Sequence, residues 1–167
     1  SGSKGFLLQV PERPDDQSTP LFEKTIALPT SDEGLPVGVS YGLLTGLGGS
    51  LYLLPNDFSI SHAGTYALWR YDPDQDSWTQ CADLPEALSS ASMTVFDGKL
   101  YVYGEAGETD GALAPRLVSY DPATNAWTSH DASRLPFHAT IVNCDGAMLL
   151  VGGAAYDGVK WVELTEG

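Results

Sequence analysis

The sequence contains the hexapeptide LWRYDP at residues 68–73 and a related one, LVSYDP, at residues 117–122. In each copy a tryptophan follows seven positions after the tyrosine, and these two tryptophans, Trp78 and Trp127, are 49 residues apart. Aromatic and branched residues favour strands, and the Asp-Pro pair favours a turn. A strand-and-turn unit that recurs at this distance predicts a repeat architecture.

Other features of the sequence recur with a similar spacing. A glycine precedes a short apolar stretch at Gly49, Gly98 and Gly146, and Leu-Pro pairs end two of the units at residues 84–85 and 135–136. The apolar stretches are separated by Asp-Gly and Asp-Pro turns, which are typical of antiparallel hairpins. Eleven prolines and eighteen glycines interrupt most helical windows. We therefore predict an all-β fold of short antiparallel strands.

Four strands in about fifty residues form a unit of the size of one β-propeller blade. Small residues stand at one equivalent position of three units, Gly42, Ala91 and Ala139, as expected where the innermost strands crowd around an axis. Trp78 and Trp127 open the outermost strand, and we interpret them as core residues that fill the space between blades. Replacing either with alanine is predicted to cost about 3 to 5 kcal/mol of stability.

These motifs resemble the kelch-repeat family of β-propellers. The resemblance rests on the glycine before the second strand, the Tyr-Asp-Pro that ends the third strand and the tryptophan that follows, and it covers roughly residues 38–164. The family's glycine doublet after the second strand is intact only at residues 152–153; it is Gly104-Glu105 in the preceding unit and is lost at residues 55–56. The resemblance implies a partial kelch-type propeller of roughly three four-stranded antiparallel blades.

The repeat pattern also predicts how the chain is organised. The expected segments are a tag or linker remnant at residues 1–5, degenerate strands that complete a blade at 6–37, kelch-like blades at 38–85 and 86–136, and a partial blade at 137–167. Residues 6–10 and 21–28 are predicted to form a strand pair, and residues 160–164 a third strand with no fourth. Because propellers close with roughly four to eight blades, we expect pairing with a second copy of the chain or with the remaining part of a divided propeller.

The composition narrows the classes of partner. Eight Lys and Arg against twenty-two Asp and Glu give a net charge of −14, and 43% hydrophobic residues indicate an acidic globular protein. The cations are scattered and no long apolar run exists, so neither nucleic-acid binding nor membrane insertion is expected. The two cysteines, Cys81 and Cys144, form no CxxC pair. Their low number fits a secreted or cell-surface location and equally the cytoplasm, so the compartment stays open.

Candidate binding residues lie on predicted connections from the second to the third strand and from one blade to the next, which leave a propeller on the same face. By resemblance, kelch proteins commonly bind partners with this face. Near the axis it carries Tyr41, Ser90 and His138, and further out Asn56, Asp57, Phe58, His62, Glu105, Glu108, Asp110, Tyr156 and Asp157. This mixture of carboxylates, aromatics and histidines fits a cationic or polyhydroxylated ligand. An ordinary polar surface of an acidic protein explains it as well.

The sequence identifies no catalytic group and no cofactor. It has no GxSxG elbow and no nucleophile whose spacing from a base is diagnostic. Residues 72–83 imitate the carboxylate spacing of a calcium loop, but Ser77 stands where that loop needs glycine. No metal site is therefore predicted. Three functions stay open: a non-enzymatic module that binds a protein or a glycan, part of a kelch-type sugar isomerase or carbohydrate oxidase that needs additional blades, and a purely structural scaffold.

Overall fold

A computed structural model describes residues 4–7, 24–27, 41–56, 67–108, 111–152 and 161–164. Every helix or strand assigned within these ranges is a β-strand, and the paired strands are antiparallel. This confirms the predicted all-β class. The described part contains no helix long and apolar enough to span a membrane. The chain divides into two compact units, Ser1–Val39 and Ser40–Gly167.

The described residues of the first unit, 4–7 and 24–27, form a strand pair. β1 (Lys4–Leu7) pairs antiparallel with β2 (Lys24–Ala27), with Gly5 opposite Ile26. β1 begins earlier than the sequence pattern indicated, so that Lys4 and Gly5, which we had assigned to a tag or linker, form part of a strand. The Ile26 side chain is buried.

The described residues of the second unit form three sheets. The first sheet consists of β3 (Tyr41–Leu47), β4 (Ser50–Asn56), β5 (Ala67–Asp72) and β6 (Ser77–Asp83), in that spatial order. The second consists of β7 (Ser89–Phe96), β8 (Lys99–Gly107), β9 (Leu113–Asp121) and β10 (Ala126–His130), also in chain order. The third consists of β11 (Ala139–Cys144), β12 (Ala147–Gly152) and β13 (Trp161–Leu164). β13 is thus the third strand of its sheet, as predicted.

The turns between the first and second strands explain the recurring glycines. Gly48 and Gly49 join β3 to β4 with φ angles of 60° and 80°, and Gly98 and Gly146 stand in the equivalent turns with φ of 72° and 84°. Two-residue hairpins of this kind require left-handed backbone at both central positions. The glycine that the sequence places before each second strand therefore supplies a conformation that other residues adopt only with strain.

The tyrosine–tryptophan pairs of the first two sheets have matching surroundings. The rings of Tyr71 and Trp78 lie 5.2 Å apart at 49°, and those of Tyr120 and Trp127 lie 5.2 Å apart at 50°. Each tyrosine hydroxyl donates to a side-chain oxygen of the residue that ends the following turn, at 2.5 Å in the first sheet and 2.9 Å in the second. The two segments are therefore structural repeats. Both tryptophans are half-buried, so they bury less surface than a fully buried core tryptophan.

The three sheets of the second unit pack face to face. Alternate residues of a strand point to opposite sides, and in β8 Leu100 and Val102 contact the first sheet while Tyr101 and Tyr103 contact the third. The core between the first and second sheets contains Tyr52, Leu54, Leu68, Leu84, Leu88, Leu100, Val102, Ala106, Val118 and Tyr120. The core between the second and third contains Tyr101, Tyr103, Leu117, Ala132, Ala139, Ile141, Met148 and Leu150.

Hydrogen bonds link neighbouring sheets at their inner and outer strands. The innermost strands β3, β7 and β11 lie side by side. Between β7 and β11, the Ile141 amide donates to Ser92 Oγ at 3.0 Å, and Asn143 Nδ2 donates to the Val95 carbonyl at 2.7 Å. Sheets that are stacked in this way around adjacent inner strands are the blades of a partial β-propeller.

At the outer strands, side chains of the second blade form hydrogen bonds with both backbone groups of Ala82 in the first blade. Trp127 Nε1 donates to the Ala82 carbonyl at 2.9 Å, and the Ala82 amide donates to Asn125 Oδ1 at 2.8 Å. Ala82 lies in β6, the edge strand of its sheet, whose backbone groups on that side lack a neighbouring strand. The two hydrogen bonds therefore satisfy the amide and the carbonyl of Ala82 on an edge strand, and they fix the second blade against the first.

Candidate functional site

The strand connections that the sequence analysis named as candidate binding segments lie at one end of the second unit. β7 begins, β8 ends and β9 begins at this end, because Glu105 is paired with Ser89 on one side and with Pro115 on the other. The connections from β6 to β7 and from β10 to β11 reach the same end. We call the described residues 84–90, 104–108, 111–116 and 131–139 the loop face. The turns at residues 97–98 and 122–125 lie at the opposite end of the sheet.

Glu105 lies at the centre of the loop face and is buried. Its side chain is only 1% exposed, and its Oε1 accepts a hydrogen bond from the His138 amide at 2.7 Å and lies 3.1 Å from His138 Nδ1. Its other oxygen, Oε2, is buried and accepts no hydrogen bond from the residues that the structure describes. We had expected Glu105 on an exposed loop. The structure differs because β8 continues to Gly107, which leaves Glu105 inside the sheet between two paired strands.

His138 and Ser90 share an unusual backbone conformation. Their φ angles are 54° and 50°, in the left-handed region that residues other than glycine seldom adopt. The two residues precede β11 and directly follow the start of β7, at positions that the sequence spacing had already aligned. Ser90 is exposed, and the His138 side chain is 59% exposed. The repeated conformation thus presents one polar side chain in the second blade and one in the third, near the inner strands.

Gly104 and Gly152 stand at the first position of the glycine doublet after the second strand, and their lack of a side chain leaves space for the backbone that precedes or begins the inner strand. A Cβ added to Gly104 lies only 2.9 Å from Leu88 Cβ, and one added to Gly152 lies 3.2 Å from the His138 carbonyl oxygen. In the first blade Pro55 replaces this glycine, and it is paired with Gly42. The glycine of that blade is therefore on the partner strand.

Arg116 is a loop-face residue that the sequence analysis missed. Its Nε donates to Glu86 Oε1 at 2.9 Å and its Nη2 donates to Glu108 Oε1 at 2.5 Å. The Glu108 side chain, through this hydrogen bond, raises the pKa of Arg116 above its ordinary value, and the charge of Glu86 acts in the same direction. Within the loop, the Glu108 amide donates to the Ala112 carbonyl at 2.7 Å and the Gly111 amide donates to the Glu108 carbonyl at 3.0 Å.

The role of Arg116 is to position the connection between β8 and β9. Its two carboxylate partners are partly exposed, and exposed ion pairs contribute little stability. The main consequence is positional, because one guanidinium joins the β6–β7 connection to the β8–β9 connection. The sequence did contain a signal for it: Arg116 is one of only eight lysines and arginines of a strongly acidic chain, and it follows the acidic segment that contains Glu105, Glu108 and Asp110.

The predicted site residues fall into three groups. Ser90, Glu105, Glu108 and His138 lie together on the loop face. Tyr41 and Asn56 are paired with each other where β3 begins and β4 ends, which is the equivalent end of the first blade. Asp57, Phe58, His62, Asp110, Tyr156 and Asp157 lie outside the described residues.

A buried tyrosine lies beneath the loop face. Tyr103 is fully buried and its hydroxyl donates to the Pro136 carbonyl. Burial raises the pKa of Tyr103 to about 12, and the charge of Glu105 adds to this effect, so the hydroxyl stays a neutral donor. The residues that the structure describes include no group of three or more His, Cys, Asp and Glu placed to hold a metal ion.

A contact between a serine and a histidine lies away from the loop face. Ser119 Oγ and His130 Nε2 are 2.8 Å apart, and the imidazole stacks on the Tyr101 ring at 5.7 Å. Ser119 is buried in the second sheet, where a substrate does not reach it. We interpret this pair as a hydrogen bond within the packing of the blade.

Comparisons with known proteins agree with this architecture. No protein-family model matches the chain. The chain is 34% identical over 115 residues to Kelch-like protein terF of Aspergillus terreus, an alignment that covers 65% of this chain and 25% of that protein. It is 30% identical over 121 residues to human Kelch-like protein 33, covering 71% of this chain and 22% of the relative. The chain thus spans a quarter or less of the length of these relatives.

A solved structure gives the same result for the fold. The structure of YjhT superposes on 75% of this chain with a TM-score of 0.57, at 22% sequence identity, and the aligned part is 36% of that protein. The partial β-propeller predicted from the repeats is therefore confirmed.

Proposed function

The chain belongs to the kelch-repeat family of β-propellers, and from this premise we propose that it is a non-enzymatic recognition module that binds a protein partner through its loop face. The observation that carries the proposal is the exposed His138 imidazole, which is held in place by a buried carboxylate. An exposed polar side chain that is oriented by a buried group needs little ordering when a partner binds. The similarity to several Kelch-like proteins supports a role in protein interaction.

The charges of the loop face define the partner that fits it. Glu86, Glu105 and Glu108 carry negative charge, and Arg116 neutralises only part of it. The whole chain carries a net charge of −14. Complementary charge steers association and disfavours partners of the same sign. We therefore propose a partner segment that presents basic side chains or hydrogen-bond donors, and the aromatic contacts are proposed for Tyr41, Phe58 and Tyr156.

The test selects peptides on the folded protein. A phage-displayed random dodecapeptide library and a glycan array are presented to the wild-type chain and to His138→Ala, Tyr41→Ala and Thr124→Ala. Thr124 is exposed in the turn at the opposite end of the second blade, so it is the matched control. We expect selected peptides to bind wild type and Thr124→Ala equally, and His138→Ala and Tyr41→Ala about tenfold more weakly. Failure to select any peptide, selection of glycans alone, or unchanged binding by both loop-face variants contradicts the proposal.

We also propose that further blades complete the ring, supplied by a second copy of the chain or by the remaining part of a divided propeller. Closed propellers contain roughly four to eight blades, and the described residues form three sheets in the second unit. Light scattering coupled to size-exclusion chromatography measures this directly for the chain alone. A folded particle with the mass of one chain contradicts pairing with a second copy.

A further inference from the structure

We infer that Glu105 and His138 together form a pocket for a single cationic side chain, an arginine or a lysine of the protein partner. The inference rests on the proposed function and specifies the chemistry of the contact. Its basis is that Glu105 Oε2 is buried and accepts no hydrogen bond from the residues that the structure describes. Buried carboxylates in proteins are normally paired, because removing such a group from water without compensation is costly.

The donors of His138, Tyr103 and Arg116 form other contacts and do not bond to Oε2. His138 supplies both contacts to Oε1, through its amide and its Nδ1, and none to Oε2. The hydroxyl of Tyr103, whose pKa responds to the charge of Glu105, donates instead to the Pro136 carbonyl. Arg116, the cation that links two loop-face connections, donates to two other carboxylates. None of these described donors bonds to Oε2, and in the proposed complex the cationic side chain of the partner supplies that donor.

The position of His138 provides the route to the carboxylate. The imidazole contacts Glu105 and is itself 59% exposed, so it lies between the carboxylate and solvent. A guanidinium or ammonium group that enters beside the ring bonds to Oε2 while Oε1 keeps the His138 amide. Arginine suits this geometry because its planar fork of donors matches a carboxylate.

The surrounding charges favour a cation over an anion. Glu86 and Glu108 flank the loop face, and their shared partner Arg116 leaves a negative balance. The three carboxylates of Glu86, Glu105 and Glu108 and the guanidinium of Arg116 have a summed charge of −2. With a neutral His138 the sum stays −2, and with a protonated His138 it is −1, so the net charge is negative in both cases. Such a surface attracts a basic side chain and repels an acidic one.

The experiment uses three blocked tripeptides as probes on the full chain. Acetyl-Gly-Arg-Gly-amide and its lysine analogue are cationic, and the citrulline analogue is a neutral isostere of arginine. Binding is followed by the NMR signals of the His138 imidazole, which are assigned by comparison with His138→Asn because the chain has three histidines. We expect saturable shifts with the arginine and lysine peptides, and affinity for citrulline lower by about tenfold or more.

Glu105→Gln tests the carboxylate itself. Glutamine retains an oxygen that accepts from the His138 amide, so the amide spectrum should stay that of the folded protein, while affinity for the cationic peptides falls about tenfold. Equal binding of arginine and citrulline peptides, or unchanged affinity in Glu105→Gln, overturns the inference. An absence of saturable shifts overturns it too, and then an ordered water completes Oε2. The wild-type comparison of arginine with citrulline decides the question even if the variant does not fold.

The two proposals fail in distinguishable ways. If peptides selected from the library bind Glu105→Gln as well as wild type but lose affinity for His138→Ala, the recognition function stands and the cation pocket is wrong. If the library yields no peptide, the recognition function is wrong, whatever the tripeptides show.

Discussion

Trp127 should stabilise the contact between the first two blades through two separate interactions. Its indole Nε1 donates to the Ala82 carbonyl of the first blade at 2.9 Å, and its ring packs on Tyr120 of its own blade at 5.2 Å. Trp127→Phe removes the donor and keeps most of the ring contact. Trp127→Ala removes both. The pair of variants therefore separates the bond between blades from the packing within a blade.

The expected magnitudes follow from the geometry. A neutral hydrogen bond contributes about 1 kcal/mol to stability, so Trp127→Phe should cost about 1 kcal/mol. A fully buried tryptophan costs about 3 to 5 kcal/mol when truncated to alanine. The Trp127 ring is half-buried, so we expect Trp127→Ala to cost about 2 to 3 kcal/mol, at or below the lower limit of the range expected from the sequence.

The assay is urea unfolding followed by circular dichroism, in which a shift of the midpoint at constant slope measures the change in stability. Thr128→Ala is the matched control, because Thr128 is the next residue of β10 and is exposed. It should stay within about 0.5 kcal/mol of wild type. The reasoning is refuted if Trp127→Phe is as stable as wild type, or if Trp127→Ala costs no more than the control.

Two further predictions concern the second blade. Gly104→Ala should lower stability by about 1 to 3 kcal/mol, because its Cβ lies 2.9 Å from a buried leucine, whereas Gly107→Ala meets no atom within 4 Å and should be close to neutral in the same unfolding assay. Equal effects of the two substitutions contradict the close approach. Burial and a nearby carboxylate raise the pKa of Tyr103 to about 12, so above pH 10 the unfolded chain loses this proton first and stability falls up to about pH 12. Tyr103→Phe should fall less steeply over that range, although Tyr52 and Tyr120 also have raised pKa values; parallel curves contradict the assignment.

The sequence predicted the repeats because their signals are local. The Tyr–Trp spacing, the glycine turns and the polar positions before the inner strands all lie within one unit, and each depends on neighbouring residues. The rings of Tyr71 and Trp78 are arranged like those of Tyr120 and Trp127, which confirms that the two segments are equivalent in successive blades. Local signals of this kind suffice to identify a blade and to align equivalent positions of successive blades.

The sequence did not predict the contacts of the site, because these join residues that are far apart in the chain. Glu105 meets His138 across 33 positions, and Arg116 meets Glu86 across 30. The segment after Glu105 is short of apolar residues and resembles a loop, yet pairing of Ala106 and Gly107 with β9 extends β8 beyond Glu105. Whether a carboxylate at a strand end is buried depends on that pairing and on the adjacent blade. Neither is visible in the spacing of one unit.

The hydrogen bonds between the innermost strands have a consequence for selectivity. Ser92 and Asn143 tie β7 to β11, so the separation between Ser90 and His138 is set by the protein before any partner arrives. A partner that contacts both side chains must match this distance, because the inner strands do not adjust to it at low cost. Molecules of suitable charge but unsuitable length are then rejected by geometry alone.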